Sequence, residues 1–211
     1  MAKVLYVEAN PKEVKDSFSM TVGREFLKEY KSNNPNDEII ERNVYKMDIP
    51  LIDEHVLKGW DKLQKGAGFE ELTQSEKLKV GLVNQFTDQF MSADKYIFVT
   101  PLWNFTVPPM MKAYLDTACI SGKTFKYTEN GPVGLLKGKK ALHIQASGGV
   151  YSEGASSSIE MGNRYIKTIC NFIGIGDVNS IFVEGAAYDP SKTQEIVNHA
   201  IDKAISLAKE F

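Results

Sequence analysis

The chain predicts a doubly wound α/β fold: five parallel strands with helices on both faces. Three observations carry this. Short apolar runs such as Val4-Leu5-Tyr6-Val7 and Tyr96-Ile97-Phe98-Val99-Thr100 lack the in–out alternation of a half-exposed strand, which marks strands buried on both sides. Most of these runs are followed by a stretch with helical spacing, and alternating strands and helices imply parallel pairing through right-handed crossovers. At 211 residues, 43% of them hydrophobic and 25% charged, the chain is long enough to bury a full core as a single domain spanning 1–211.

Val4–Val7 reads as a central strand, broken by Asn10-Pro11. A helix follows, with Met20, Val22, Phe26, Leu27 and Tyr30 on its apolar side and Ser17 or Ser19 as its N-cap. It ends in Asn33-Asn34-Pro35-Asn36. Glu38–Val44 is a strand near a sheet edge. Residues 45–75 are the least regular part. There Asp48–Ile52 crosses over, and Asp53–Gln64 forms a short helix ended by Gly66 and Gly68. A second helix runs from about Ser75, read as its cap, to Ser92. The strand Tyr96–Thr100 leads into the loop Pro101–Val107, and Pro108-Pro109 opens a helix that stops near Gly122, since proline suits a first helical turn. Thr124–Thr128 with Asn130-Gly131 is a short hairpin outside the main sheet. Lys139–Ala146 is the next parallel strand. A small polar loop from Ser147 leads to a helix starting near Ser158 and ended by Gly174 and Gly176. Asn179–Glu184 is the last strand, and Asp189-Pro190-Ser191 opens the final helix. Five sheet strands in this pattern predict the flavodoxin-like order 2-1-3-4-5, with a ligand crevice where strands 1 and 3 meet.

Composition narrows the function. A net charge of −2 argues against nucleic acid as a partner. No apolar run approaches the ~18–20 residues that span a bilayer, and the start Met1-Ala2-Lys3-Val4 does not read as a signal peptide. The two cysteines, Cys119 and Cys170, and the three histidines lack metal-ligand spacing, so no metal site is expected. Two cysteines in a chain of this size suit reduced thiols in a cytoplasmic protein.

Three loops flank the crevice. The first offers Asn10 and Ser17-Phe18-Ser19 at a helix N-terminus, a place that favours phosphate, although the two serines could equally serve only as caps. No dinucleotide or Walker fingerprint is present. The second, Pro101 to Val107, holds Trp103, Asn104 and Phe105. It is either an apolar wall for a flat ring or part of the core. The third, Ser147-Gly148-Gly149-Val150-Tyr151, lets backbone approach a ligand closely, or is a plain turn. An anion site, an aromatic wall and exposed amides together match the needs of flavin mononucleotide (FMN). No nucleophilic elbow or Cys–His pair appears, so no catalytic side chain is expected. That suits a site whose chemistry belongs to a cofactor.

The chain resembles the bacterial FMN-dependent NADH:quinone reductases, also called azoreductases, nearly end to end. The resemblance rests on Ser17-Phe18-Ser19, on PLWNFTVPPMMKAYLD (Pro101–Asp116), on FKYTENGPVGLLKGKKALHIQASGG (Phe125–Gly149), and on NFIGI followed by EGAAYDP. It implies that Ser17, Phe18 and Ser19 hold the FMN phosphate, with Asn10 where many members have Ser. It implies that Pro101, Leu102, Trp103, Asn104 and Phe105 line the ring, and that Ser147, Gly148 and Gly149 meet its pyrimidine end. Gly148 replaces a basic or polar residue common there. The resemblance further implies a homodimer with one FMN per subunit, in which Phe125, Tyr127 and Phe172 of the partner complete the substrate pocket. The implied reaction is ping-pong hydride transfer from NADH through FMN, reducing quinones by two electrons and cleaving azo compounds to amines. A flavodoxin-type single-electron carrier is the alternative. Such carriers usually have a Thr/Ser-Gly-rich phosphate loop and a strongly acidic surface, whereas this chain has Asn10-Pro11-Lys12-Glu13 and little net charge.

Overall fold

A computed structural model describes residues 1–211. In chain order its elements are β1 (Lys3–Glu8), α1 (Phe18–Asn33), β2 (Glu38–Asn43), α2 (Glu54–Gln64), α3 (Gln74–Ser92), β3 (Lys95–Pro101) and α4 (Pro109–Ala118). Then come β4 (Phe125–Thr128), β5 (Gly131–Gly134), β6 (Lys140–Ala146), α5 (Gly162–Ile173), β7 (Asp177–Val183) and α6 (Thr193–Glu210). Five strands form one parallel sheet in the order β2-β1-β3-β6-β7. Counting sheet strands alone, this is the expected 2-1-3-4-5. β4 and β5 pair as a separate antiparallel hairpin, turning at Asn130-Gly131.

The central strands are buried on both faces, and the two faces feed two cores. Val4, Tyr6, Ile97, Val99, Leu142 and Ile144 point toward α1 and α6, where they meet Val22, Phe26, Ala200 and Ala204. Leu5, Val7, Tyr96, Phe98 and Ala141 point toward α3, α4 and α5, where they meet Phe90, Met111, Tyr114 and Ile166. This is the period-two division of a sheet with helices on both sides. β2, at the edge, has no fully buried residue.

Several boundaries differ from the sequence expectation, each for a local reason. The cap of α3 is Thr73, not Ser75. Its hydroxyl accepts from Glu76 N while the Glu76 carboxylate accepts from Thr73 N, a reciprocal capping box. α4 ends at Ala118 instead of near Gly122, because Thr124 Oγ1 donates to the carbonyls of Ala118 and Ile120 and turns the chain toward the hairpin. α5 starts at Gly162 instead of Ser158. Ala155–Ile159 form a 3-10 turn, and Glu160 is extended (φ −73°, ψ 102°), so the helix cannot begin before it.

α1 rests unusually close to the sheet at Gly23. A Cβ there would stand 2.5 Å from the Tyr6 hydroxyl and 2.9 Å from Val99 Cγ2. Gly23→Ala gains about 1 kcal/mol of helix propensity but overpacks a site walled by a central strand, which costs about 1–3 kcal/mol. Overpacking should win. We expect a lower Tm in a thermal melt, and an unchanged or raised Tm would show that α1 can lift off the sheet freely.

Candidate functional site

The carboxyl ends of β1, β3 and β6 stand side by side in the sheet. From β1 the chain crosses to β2 on one side, and from β3 it crosses to β6 on the other. That reversal leaves a crevice between the loops that follow β1 and β3.

The first wall is the entry to α1. Ser17 is its N-cap, and Ser17 Oγ accepts from Met20 N at 3.4 Å. The same oxygen lies 3.3 Å from Ser19 Oγ and accepts from Asn10 Nδ2 at 2.9 Å. Asn10, Ser17 and Ser19 are all buried, whereas Phe18 is exposed. The first-turn N–H groups of Phe18 and Ser19 have no acceptor within the helix, and the helix dipole adds positive potential. Capping and anion attraction therefore coincide here. Asn10 is committed to bracing: its Oδ1 accepts from Lys12 N, and its carbonyl accepts from Asn43 Nδ2.

The second wall is the loop after β3. Leu102 N donates to Ala146 O at 2.7 Å, tying the loop to β6. Trp103 and Thr106 exchange backbone hydrogen bonds of 2.9 and 3.0 Å. Between them Asn104 (φ 47°) and Phe105 (φ 69°) both lie in the left-handed region, the geometry of a type I′ turn. Asparagine tolerates this conformation; a bulky aromatic does not, and strain of this kind gathers at ligand sites. The turn is held from outside. Met161 N donates to Phe105 O at 2.8 Å, the Phe105 ring meets Tyr151 edge-on at 6.0 Å, and Trp103 meets Tyr45 at 6.1 Å. Trp103 is 37% and Phe105 47% exposed, which decides against the core reading of both. Beside the turn lies a cavity of about 440 Å³ whose lining includes Trp103, Asn104, Lys112 and Tyr165.

The third wall follows β6. Ser147 N donates to Val183 O, and Ser147 Oγ donates to Gly149 O at 2.8 Å. Gly148 O accepts from Ala187 N. A Cβ on Gly148 would come within 3.0 Å of Ala187 Cβ, and one on Gly149 would stand 3.0 Å from Tyr151 Cε2 and 3.1 Å from the Tyr188 hydroxyl. The loop is packed too closely for a side chain to enter without displacing a neighbour. Glu184 accepts from Tyr151 N, Ser152 N and Ser152 Oγ, which fixes the Tyr151 ring against Phe105.

A buried polar chain runs beneath the second and third walls. Asn163 Oδ1 can only accept, and it takes a hydrogen bond from Ser180 Oγ at 2.8 Å and one from His143 Nδ1 at 3.0 Å. Nδ1 therefore carries the proton, and Nε2 accepts from Thr100 Oγ1 at 2.9 Å. Burial pushes the His143 imidazole down to about 4, outweighing the opposing effect of the Asn163 bond.

Phe125, Tyr127 and Phe172 form one aromatic cluster, with ring distances of 5.5 and 4.5 Å around Phe125. Phe125 and Tyr127 line a different cavity, about 530 Å³, with Trp60, Leu63 and Ile120 among its other walls. Within one chain, then, this cluster and the Trp103–Asn104 turn border separate spaces. The sequence reading reached Tyr151 only as the end of the third loop and overlooked Tyr45, Glu160, Met161 and Glu184. Tyr45 follows the end of a strand, a weak signal at best. The backbone N–H of Met161 leaves no signal in a sequence.

Comparison with known proteins agrees with this fold. A family model described as flavodoxin-like fold matches residues 2–207. The chain is similar to an FMN-dependent NADH:quinone oxidoreductase of Bacillus velezensis, 54% identical over 100% of both chains. It is also similar to FMN-dependent NADH:quinone oxidoreductase 2 of Bacillus subtilis, 56% identical over 100% of both. Among solved structures, an azoreductase from Bacillus anthracis superposes with a TM-score of 0.94 at 36% identity, covering 100% of both chains. An FMN-dependent NADH-azoreductase of the same species, in complex with FMN, gives 0.88 at 38% identity, covering 99% of this chain and 100% of that one.

His143 makes stability depend on pH. Its folded value, about 4, lies below the ordinary 6.5, so its contribution is complete above pH 6.5 and is lost as pH falls through 4. The loss is roughly 3 kcal/mol. Denaturant melts between pH 7 and 4 should show a steeper fall for the native protein than for His143→Gln, whose side chain stays neutral; parallel curves would contradict this.

Proposed function

The chain belongs to the flavodoxin-like family of FMN-dependent NADH:quinone oxidoreductases, and on that premise we propose that it is an FMN-dependent enzyme taking electrons from NADH, reducing quinones by two electrons and cleaving aromatic azo bonds to amines. The observation that carries this reading is the crevice itself. A buried hydroxyl cluster at the start of α1 and a half-exposed aromatic turn stand on the ends of adjacent strands. The residues present fit FMN. The hydroxyls of Ser17 and Ser19, with first-turn N–H groups, suit a phosphate dianion. Leu102, Trp103 and Phe105 give an apolar bed that keeps water from a flat ring, and the left-handed Asn104 offers an amide to the ring's polar edge. Backbone N–H groups around Gly148 and Gly149 favour negative charge at the pyrimidine end. Asn10 acts on the phosphate end through Ser17. None of Asn10, Ser17–Ser19, Pro101–Phe105 or Ser147–Gly149 titrates near neutral pH, so protons reach the product from water.

When bound, FMN supplies the redox chemistry, alternating between NADH and the acceptor in a ping-pong cycle. One apolar place over the Trp103–Phe105 turn serves both partners in succession. The site is carried on one unit, residues 1–211, and the unpaired thiols of Cys119 and Cys170 suit a reducing cytoplasm. No helix is long and apolar enough to cross a membrane.

The enzyme is a homodimer in this reading. Phe105, Tyr127, Val133, Leu135, Ile159 and Met161 are apolar and exposed on a single chain. A second copy would cover them and bring its Phe125, Tyr127 and Phe172 cluster over the nicotinamide or quinone.

Purified protein should take up one FMN per chain, turn yellow, and bleach on addition of NADH alone. Protein that stays colourless with FMN would overturn the assignment. Ser17→Ala or Ser19→Ala should weaken FMN binding about 10–100-fold, as expected for losing a hydrogen bond to a charged group. In sedimentation equilibrium the native protein should run at twice its 23.6 kDa chain mass, and a monomer at working concentration would refute the shared pocket.

A further inference from the structure

Glu160 is a buried carboxylate with no part in the chemistry proposed above. It lies just before α5 and is 6% exposed. Its Oε1 accepts from Asn163 N at 2.7 Å and from Gln145 Nε2 at 3.1 Å, and its Oε2 accepts from Arg164 N at 3.2 Å. Two of the four free N–H groups at the start of α5 are thus closed by one side chain. The charge also suits the positive end of the helix dipole. Gln145, fully buried on β6, holds that carboxylate from below.

The start of α5 touches the flavin bed at two places. Met161 N, one residue after Glu160, is spent outside the helix on the carbonyl of Phe105. Gly162, the first helical residue, lies under Leu102. A Cβ on Gly162 would overlap Gln145 Oε1, stand 2.8 Å from Leu102 Cδ1 and 3.2 Å from Glu160 Oε1. The turn so held contains the two non-glycine residues of the chain with positive φ, Asn104 and Phe105. A left-handed phenylalanine persists only where its surroundings over-determine it, and of these contacts the Met161 bond is the one that fixes its backbone.

We propose that Glu160 is a positioning residue for the cofactor bed: by closing the first turn of α5 it sets Met161 N–H and Gly162 where they hold the Leu102–Phe105 loop in its left-handed turn. The proposal rests on the reading of that loop as the ring's bed. It assigns Glu160 no contact with FMN or substrate, and it makes Gln145 the support for the carboxylate.

The test measures the FMN Kd by fluorescence titration and the visible circular dichroism of bound FMN, which reports how the ring is held. Three variants are compared with the native holoprotein. Glu160→Gln keeps the shape but leaves one helix N–H without an acceptor. Met161→Pro removes the N–H that reaches Phe105; it sits at the N-cap of α5, where φ would move from −109° to about −65°, and follows a residue that is already extended. Thr73→Ala removes the hydroxyl cap of α3, where Thr73 and Glu76 bond each other, Glu76 also accepts from Lys62, and neither makes a hydrogen bond to the loop. We expect Glu160→Gln and Met161→Pro each to raise the FMN Kd by about tenfold, the scale of a lost hydrogen bond to a charged or strained group, and to change the visible dichroism, with Thr73→Ala leaving both as in the native protein. If Glu160→Gln does not fold, Met161→Pro carries the test alone. Native Kd and dichroism in Met161→Pro, or equal losses in Thr73→Ala, would overturn the proposal while leaving the FMN reading in place. Failure of the native protein to bind FMN would instead overturn the reading on which it rests.

Discussion

The reversal of crossover direction between β1 and β3 is the constraint on which the molecule depends. Right-handed crossovers cover both faces of a parallel sheet, and wherever they diverge the strand ends between them stay open. Here the divergence puts the start of α1 beside the loop after β3. Neither wall needs a special fold of its own. One is a helix N-terminus, which every crossover supplies. The other is a strand end whose loop the sheet cannot cover.

What is special is the way the second wall is held. A type I′ turn places Asn104 and Phe105 in conformations that an isolated chain avoids. The compensation is distributed. Met161 N–H fixes the backbone, Tyr151 and Tyr45 flank the rings, and Leu102 lies on a helix residue that has no side chain. The supports are themselves anchored by polar groups in the interior: Glu160 on Gln145, and Asn163 on His143 and Ser180. The Ser180–Asn163–His143–Thr100 chain specifies one arrangement where an apolar core would permit several, whereas Gln145 spends its amide N–H on Glu160 and leaves its Oε1 buried without a partner. The arrangement has a cost: a histidine that must stay neutral, so acid attacks the support of the site as well as the fold.

In the proposed reading the site divides into residues that meet FMN and residues that keep those in place. The phosphate end is self-contained, because Asn10, Ser17 and Ser19 bond to one another within one loop and the helix it starts. The turn end depends on elements distant in sequence: β3, the segment 151–161, α5 and Tyr45. Local changes at the first should stay local, whereas those at the second should spread. Tyr127 and Phe125 border another cavity of the same chain, separate from the one beside the Trp103–Asn104 turn.

The sequence by itself determined the strand order and the hairpin, and it narrowed the cap of α1 to Ser17 or Ser19, of which Ser17 is the one. Period-two and period-3.6 patterning, capping chemistry and turn residues are local properties, and a local signal survives in a string of letters. It placed the start of α5 four residues too early, because the Glu160 carboxylate, not a serine, closes the first-turn N–H groups, and the cap of α3 two residues too late, because the Thr73 hydroxyl, paired with Glu76 in a capping box, takes that role from Ser75. It also left Trp103 and Phe105 divided between core and wall. Only the tertiary structure decided that division, along with the left-handed turn, the Met161 bond and the Glu160–Gln145 support. The physical reason is that these are long-range contacts, many of them made by backbone groups. Every residue carries the same N–H, so nothing in the identity of Met161 announces that its own reaches Phe105.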